Sequence, residues 1–157
     1  MQFNKDTIDL FIQTMRNYGW MDLPSYSMSM YPFIKKGNIC RFVAFELDKA
    51  KKGDILLYHS SSGQLVVHRF LQVKKSDNQL QFVLKGDSNT HMDEPICSDQ
   101  IIGKLVTIDT DKRKIYTSDY TAIFWGYLIS TYPIFSKVLR TYLYFKRRVK
   151  TKFSVSL

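Results

Sequence analysis

Cysteine is scarce in this chain: Cys40 and Cys97 are the only two in 157 residues, they form no CxxC pair, and no histidine stands near either at ligand spacing. That pattern argues against a zinc site. Two free, partly buried thiols are expected, with a single disulfide between them left open. Long hydrophobic runs are lacking too. Positions 120–136 (YTAIFWGYLISTYPIFS) carry no charge, but Thr121, Gly126, Ser130, Thr131 and Pro133 make this a weak and marginally short candidate for a membrane span. Acidic residues vanish after Asp119, where 7 basic residues stand unopposed, whereas up to Asp119 there are 16 basic and 14 acidic residues. The net charge of +9 is therefore a property of the tail. Such a tail suits anionic lipid or solvent better than a nucleic-acid groove, so no nucleic-acid partner is expected. There is no fixed-period repeat and no low-complexity tract, and 15% aromatic residues argue against disorder across the body.

What remains is long enough for one domain with a real core. Residues 6–20 place Ile8, Phe11, Ile12 and Met15 at the spacing of one helical face, with Asp6 or Thr7 near the start and Gly19 near the end. Lys5, Asp6, Asp9 and Arg16 make it neither a signal sequence nor a membrane span. A helix packed on the rest of the domain is favoured over one lying on a membrane or a partner. Residues 38–45, 55–58, 64–73, 80–85 and 101–108 read as strands, joined by a polar connection at 46–54 and by turns at 60–63 and at Ser76-Asp77-Asn78. Hairpins without intervening helices predict a mainly β fold, an antiparallel, partly closed barrel. The expected divisions are an N-terminal helix over 1–23, a β-domain over 24–118 and a hydrophobic, basic segment over 119–157. The last is either an interfacial element or a cover for the barrel, and hydropathy does not separate the two.

Residues 25–37 (SYSMSMYPFIKKG) put hydroxyls beside a proline-fixed turn. If the segment is extended, Ser27 and Ser29 share one face and Met28 and Met30 the other. A serine matters only if a base, an orienting acid and an oxyanion donor exist elsewhere. Candidates are His68, at the end of the apolar run LVVHRF, and Asp87 and Asp93, in the loop after FVLK.

Five segments, Ser29-Met30-Tyr31-Pro32, Gly53-Asp54-Ile55-Leu56, His68-Arg69, Lys85-Gly86-Asp87-Ser88-Asn89 with Asp93, and Ile102-Gly103-Lys104, resemble in order and spacing the boxes of type I signal peptidases. The resemblance spans about residues 24–108. Histidine in the third box is similar to the endoplasmic-reticulum and archaeal branch, which also occurs in some bacteria. It implies a signal-peptidase type of barrel and a serine endopeptidase that removes leader or signal segments from an extended polypeptide after small residues, working on the extracytoplasmic side of a membrane. It implies Ser29 as nucleophile, His68 as general base and Asp93 as the acid that orients it. Asp87 is expected to support the loop, though the two aspartates could exchange roles. Oxyanion stabilisation falls to the backbone N–H of Ser29 and the hydroxyl of Ser27. The family usually has glycine where this chain has Met28, and many members begin with a hydrophobic anchor, from which residues 1–23 depart.

A substrate strand laid beside an exposed edge would meet Met28, Met30 and Tyr31, or the methionines belong to the core. His59 and His91 are weaker bases, lying in polar loops outside the His-Arg box, and Arg69 is expected to pack or to pair with a carboxylate. Asp54 reads as a turn residue. No cofactor or metal is implied. Self-cleaving repressor peptidases, which use lysine, are disfavoured by His68. The other readings are a peptidase dedicated to one precursor, and a catalytically silent membrane module working through the tail.

Overall fold

A computed structural model of the chain describes residues 3–76 and 79–154, with side chains up to Val149. Helix α1 spans Lys5–Tyr18. Its cap is Asn4, one residue before the helix and not Asp6 or Thr7: the Asn4 side chain accepts from the Thr7 N–H at 3.0 Å. Gly19 stops the helix in the left-handed region (φ 75°), where its N–H donates to Met15 O at 2.9 Å. Trp20 is therefore not helical. It opens strand β1, Trp20–Pro24, so residues 1–23 are not helix alone but a helix followed by a sheet-edge strand.

The other strands are β2 (Ile39–Val43), β3 (Ile55–His59), β4 (Leu65–Ser76), β5 (Gln79–Lys85), β6 (Ile96–Cys97), β7 (Ile101–Asp109) and β8 (Lys114–Tyr116). The turn expected at Ser76-Asp77-Asn78 involves Asp77 and Asn78, which lie outside the described residues. Every pairing is antiparallel, in the order β1-β2-β7-β3-β4-β5-β6, with β8 added to the far half of β7. The end strands β1 and β6 do not pair with one another, so the sheet is mainly antiparallel but open, without the closure expected of a barrel.

Strand β3 is buried on both faces, which is why it reads as a continuous apolar run. Ile55 and Leu57 join one core cluster with Met15, Met30, Phe42 and Leu105, while Leu56 and Tyr58 join a second with Phe70, Phe82 and Leu84. Alternation along the strand thus divides the core in two. Phe42 and Phe82 are almost wholly buried, and each such side chain contributes about 1.5–3 kcal/mol. Helix α1 lies on the first cluster through Ile8 and Met15, with Phe11 and Ile12 partly buried. It approaches closely at Gly103, where a Cβ would sit 2.7 Å from Met15 Cε.

The chain ends in two helices, α2 (Tyr120–Thr131) and α3 (Pro133–Ser154), broken where Tyr132 becomes extended before Pro133. Ala122, Gly126 and Ile129 form the inward stripe of α2, while Tyr120, Ile123, Phe124 and Tyr127 face outward and are exposed. Among the described residues, no helix is long and apolar enough to cross a membrane.

Candidate active site

His68 and Arg69 are neighbours in β4 and so project from opposite faces of the sheet. His68 stands opposite Leu56 on β3 and shares a face with Tyr58, whose ring lies 6.4 Å away between centroids. Arg69 stands opposite Ile55, and across β5 it pairs with Lys85. This register separates the two aspartates. Asp93 Oδ2 lies 2.5 Å from His68 Nδ1 and accepts from the Tyr58 hydroxyl at 3.1 Å. A carboxylate there keeps the proton on Nδ1 and leaves Nε2 as the basic nitrogen. Burial first, and then the Asp93 charge, push the Tyr58 phenol far above its ordinary range, so it remains a hydrogen-bond donor.

Asp87 lies on the other side and is 1% exposed. Arg69 grips it with two parallel hydrogen bonds, Nε to Oδ1 at 2.8 Å and Nη2 to Oδ2 at 2.7 Å. Trp125 Nε1 of α2 adds a third at 2.8 Å, and Arg69 Nη1 donates to Gly53 O at 2.9 Å. Asp87 is therefore not an alternative partner for His68, and it supports its loop through these side chains, not through the loop backbone. Its structural partner is Arg69, the residue read as pairing with a carboxylate. Next to it, burial lowers the affinity of Lys85 for its proton, partly offset by Asp87, and Lys85 Nζ donates to Ser136 Oγ of α3 at 2.8 Å.

Ser29 sits in a turn that follows β1, not in an extended strand. Tyr31 N–H donates to Met28 O at 3.1 Å and Ile34 N–H to Met30 O at 2.9 Å. Met30 is the anchor of this turn: it is 3% exposed in the first core cluster, so it does not line a substrate surface. Met28 does border the groove described below. Tyr31, expected to meet substrate, is not among the residues lining that groove and stacks on Tyr142 of α3 at 5.9 Å. The Ser29 N–H donates to Ser27 Oγ at 3.1 Å, and Ser27 Oγ donates to Ser29 Oγ at 3.2 Å. The two serines thus form a small network around the N–H proposed as an oxyanion donor, and an oxyanion would take the place of Ser27 Oγ as its acceptor.

The serine turn and the histidine are coupled by the loop after β5. Ser88 donates to Ser29 O through both N–H (2.8 Å) and Oγ (3.1 Å). Two residues earlier, Gly86 packs so closely that a Cβ would lie 2.9 Å from His68 Nε2 and 2.8 Å from Asn89 Nδ2. Asp93 N–H donates to Leu84 O at 2.8 Å and pins the other end of the loop. The hydroxyl of Ser29 is hydrogen-bonded to Ser27 and not to His68, so the structure joins His68 to Asp93, and Ser27 to Ser29, with Gly86 and Ser88 between the two pairs.

The site opens into a groove of about 600 Å³ between the serine turn, residues 88–93 and one face of α3. Arg140, Leu143, Tyr144 and Arg147 form that third wall, a contribution that the sequence reading did not assign. Their i, i+3, i+4, i+7 spacing was the signal available. His91 lies exposed on the groove rim beside Thr90, and Asp54 closes its turn by accepting from Lys51 N–H while pairing with Lys104. Both cysteines are free. Among the described residues, no three His, Cys, Asp or Glu side chains are arranged to hold a metal ion. In comparisons with known proteins, the chain matches no family model and no curated sequence.

Proposed function

We propose that this chain is a serine endopeptidase of the signal-peptidase type, with that family's fold, that removes leader or signal segments after small residues. The observation that carries this reading is the 2.5 Å contact between His68 Nδ1 and Asp93, the aspartate lining the same open groove as Ser29. Extended peptide in the groove expels water and draws the Ser29 hydroxyl from Ser27 toward His68 Nε2; catalytic hydrogen bonds commonly tighten only in the substrate complex. Ser29 Oγ then attacks the scissile carbonyl while His68 takes its proton, and Asp93 stabilises the imidazolium. The oxyanion accepts from the Ser29 N–H and the Ser27 hydroxyl. His68 returns the proton to the leaving amine, and water, activated by the same nitrogen, hydrolyses the acyl ester.

A membrane surface is the proposed setting. The outward faces of α2 and α3 expose Ile123, Phe124, Tyr127, Ile134, Val138 and Phe145 beside a run of cations with no acidic residue. The same observation is what favours the second reading, a catalytically silent membrane module. Cleavage of exported precursor peptides by the wild-type, Ser29→Ala and His68→Ala proteins separates them. Cutting after a small residue that both substitutions abolish supports the peptidase, and vesicle binding without cutting of any precursor supports the module or a single dedicated substrate.

A further inference from the structure

A second cavity, of about 550 Å³, lies between α2 and the sheet and shares no residue with the groove that holds Ser29. Along α2, Ala122, Gly126 and Ser130 recur every four residues, so one helical face borders the cavity with small side chains. Ile55 of β3 and Leu105 of β7 add apolar surface. The Ser130 hydroxyl is buried and has no hydrogen-bond partner among the described residues. Four cations border the same space, Lys51, Lys52, Arg69 and Lys104, against one acid, Asp54. Two of the cations are committed: Lys104 Nζ pairs with Asp54 Oδ1 at 2.9 Å, and Arg69 donates to Asp87 and to Gly53 O. Asp54 Oδ2 in turn accepts from the Lys51 N–H at 2.9 Å. No carboxylate of the cavity is left for the ammonium groups of Lys51 and Lys52, which stand exposed at its edge.

The cavity also runs out onto an apolar surface. Ile123 and Tyr127 line it and yet are mostly exposed, beside the equally exposed Phe124. Unpaired cations at the edge, apolar and small side chains within, and an aromatic rim are the chemistry of an anionic amphiphile. A free anion would have no use for the apolar walls. We propose that this cavity seats one anionic phospholipid of the membrane, with its phosphate at Lys51 and Lys52 and the start of an acyl chain against Ala122, Ile55 and Leu105. An ester oxygen drawn toward Ser130 satisfies the hydroxyl that is otherwise without a partner. Phe33, in the turn that carries Ser29, lines the cavity as well, so the bound lipid touches a support of the proposed active site. This deepens the membrane setting proposed above and rests on it, but it makes no use of the peptidase chemistry.

The test is binding of the full chain to vesicles of phosphatidylcholine alone or mixed with phosphatidylglycerol, read by sedimentation. The wild type is expected to bind the phosphatidylglycerol vesicles at least about tenfold tighter. The Lys51→Gln, Lys52→Gln double variant is expected to lose that preference by about tenfold, and the Lys51→Arg, Lys52→Arg variant to keep it. The control is Lys74→Gln, Lys75→Gln, which removes the same charge from exposed positions of β4 that do not border the cavity and is expected to keep the preference. Equal losses in the two Gln variants mean diffuse attraction; they overturn the lipid seat and leave the membrane setting standing. No binding to either kind of vesicle removes both. Calorimetry with dihexanoyl-phosphatidylglycerol, kept below its micelle concentration, is expected to saturate at one lipid per chain and to weaken about tenfold in the Lys51→Gln, Lys52→Gln variant. Inorganic phosphate that binds as tightly as this lipid overturns the proposal in favour of a free anion. None of these measurements needs turnover, so a chain that cleaves no peptide passes or fails them independently of the peptidase reading.

Discussion

Arg69 holds Asp87 in a bidentate grip at 2.8 and 2.7 Å on the face of the sheet opposite His68, so two aspartates only six residues apart serve different purposes. Asp87 is almost fully buried and Asp93 borders the groove. On the proposed reading, the difference separates stability from catalysis. Asp87→Asn or Asp87→Ala leaves a buried guanidinium without its charge partner and is expected to destabilise the fold by about 3–5 kcal/mol, read as a lowered midpoint in chemical denaturation. Asp93→Asn is expected to shift that midpoint far less while reducing kcat by about 10³–10⁴-fold. Equal midpoints for the two variants would contradict the assignment.

Trp125 is the third donor to Asp87 and the link from α2 to the loop. Trp125→Phe keeps an aromatic ring but deletes the indole N–H, leaving Asp87 one hydrogen bond short at a cost of about 1–3 kcal/mol. Denaturation midpoints of the single variants and of the Trp125→Phe, Asp87→Asn pair check it: the effects are expected to be non-additive because both act on one network.

At Gly86 the limit is close approach. A methyl group there would meet His68 Nε2 at 2.9 Å and Asn89 Nδ2 at 2.8 Å, closer than atoms pack. Gly86→Ala must displace the histidine or the asparagine. Activity is expected to fall by about 10²-fold or more, with a stability change of only about 1–3 kcal/mol. The comparison of kcat/KM with the denaturation midpoint of the same variant tests this.

Cys40 supplies a pH dependence. Burial, reinforced by Asp109 and Asp22, pushes its thiol up to about 12. An unfolded thiol titrates near ~8.5, so the folded pKa is the raised one. The stabilisation from keeping the thiol neutral is full below about pH 8.5. It is lost as pH rises toward about 12, with a slope of up to ~1.4 kcal/mol per pH unit. The difference in stability between wild type and Cys40→Ala is therefore expected to shrink with rising pH across that window. In native protein at pH 8, a thiol reagent is expected to modify the half-buried Cys97 and to spare Cys40 until unfolding.

Much of the sheet was legible because its signals are local. Strands β2, β3, β5 and β7 lie within a few residues of the segments read from alternation and apolar runs, and Gly19 marked the end of α1. Strand β1 was hidden because Trp20 and Met21 extend the helical apolar pattern past the glycine that stops it. Strand β8 is only three residues long, too short for a periodic signal. The closure of the sheet depends on whether distant edges meet, and no local pattern encodes that. Met28 and Met30 could not be told apart, since a turn places one at the groove and one in the core, whereas an extended segment would put both on one face. The aspartates were ambiguous for a related reason: adjacent His68 and Arg69 choose opposite partners only once the register of β4 against β3 and β5 is set. Arg140 and Arg147 were read as part of a basic tail that meets anionic lipid or solvent, because only the fold brings α3 across the groove.

The most direct test of the account is the turnover of an exported precursor peptide by purified wild-type protein beside Ser29→Ala, His68→Ala and Asp93→Asn, with the cut mapped by mass spectrometry. The account predicts one cut after a small residue, lost by at least about 10³-fold in each variant while each retains the wild-type fold by circular dichroism. Cleavage that persists in folded Ser29→Ala protein would contradict it.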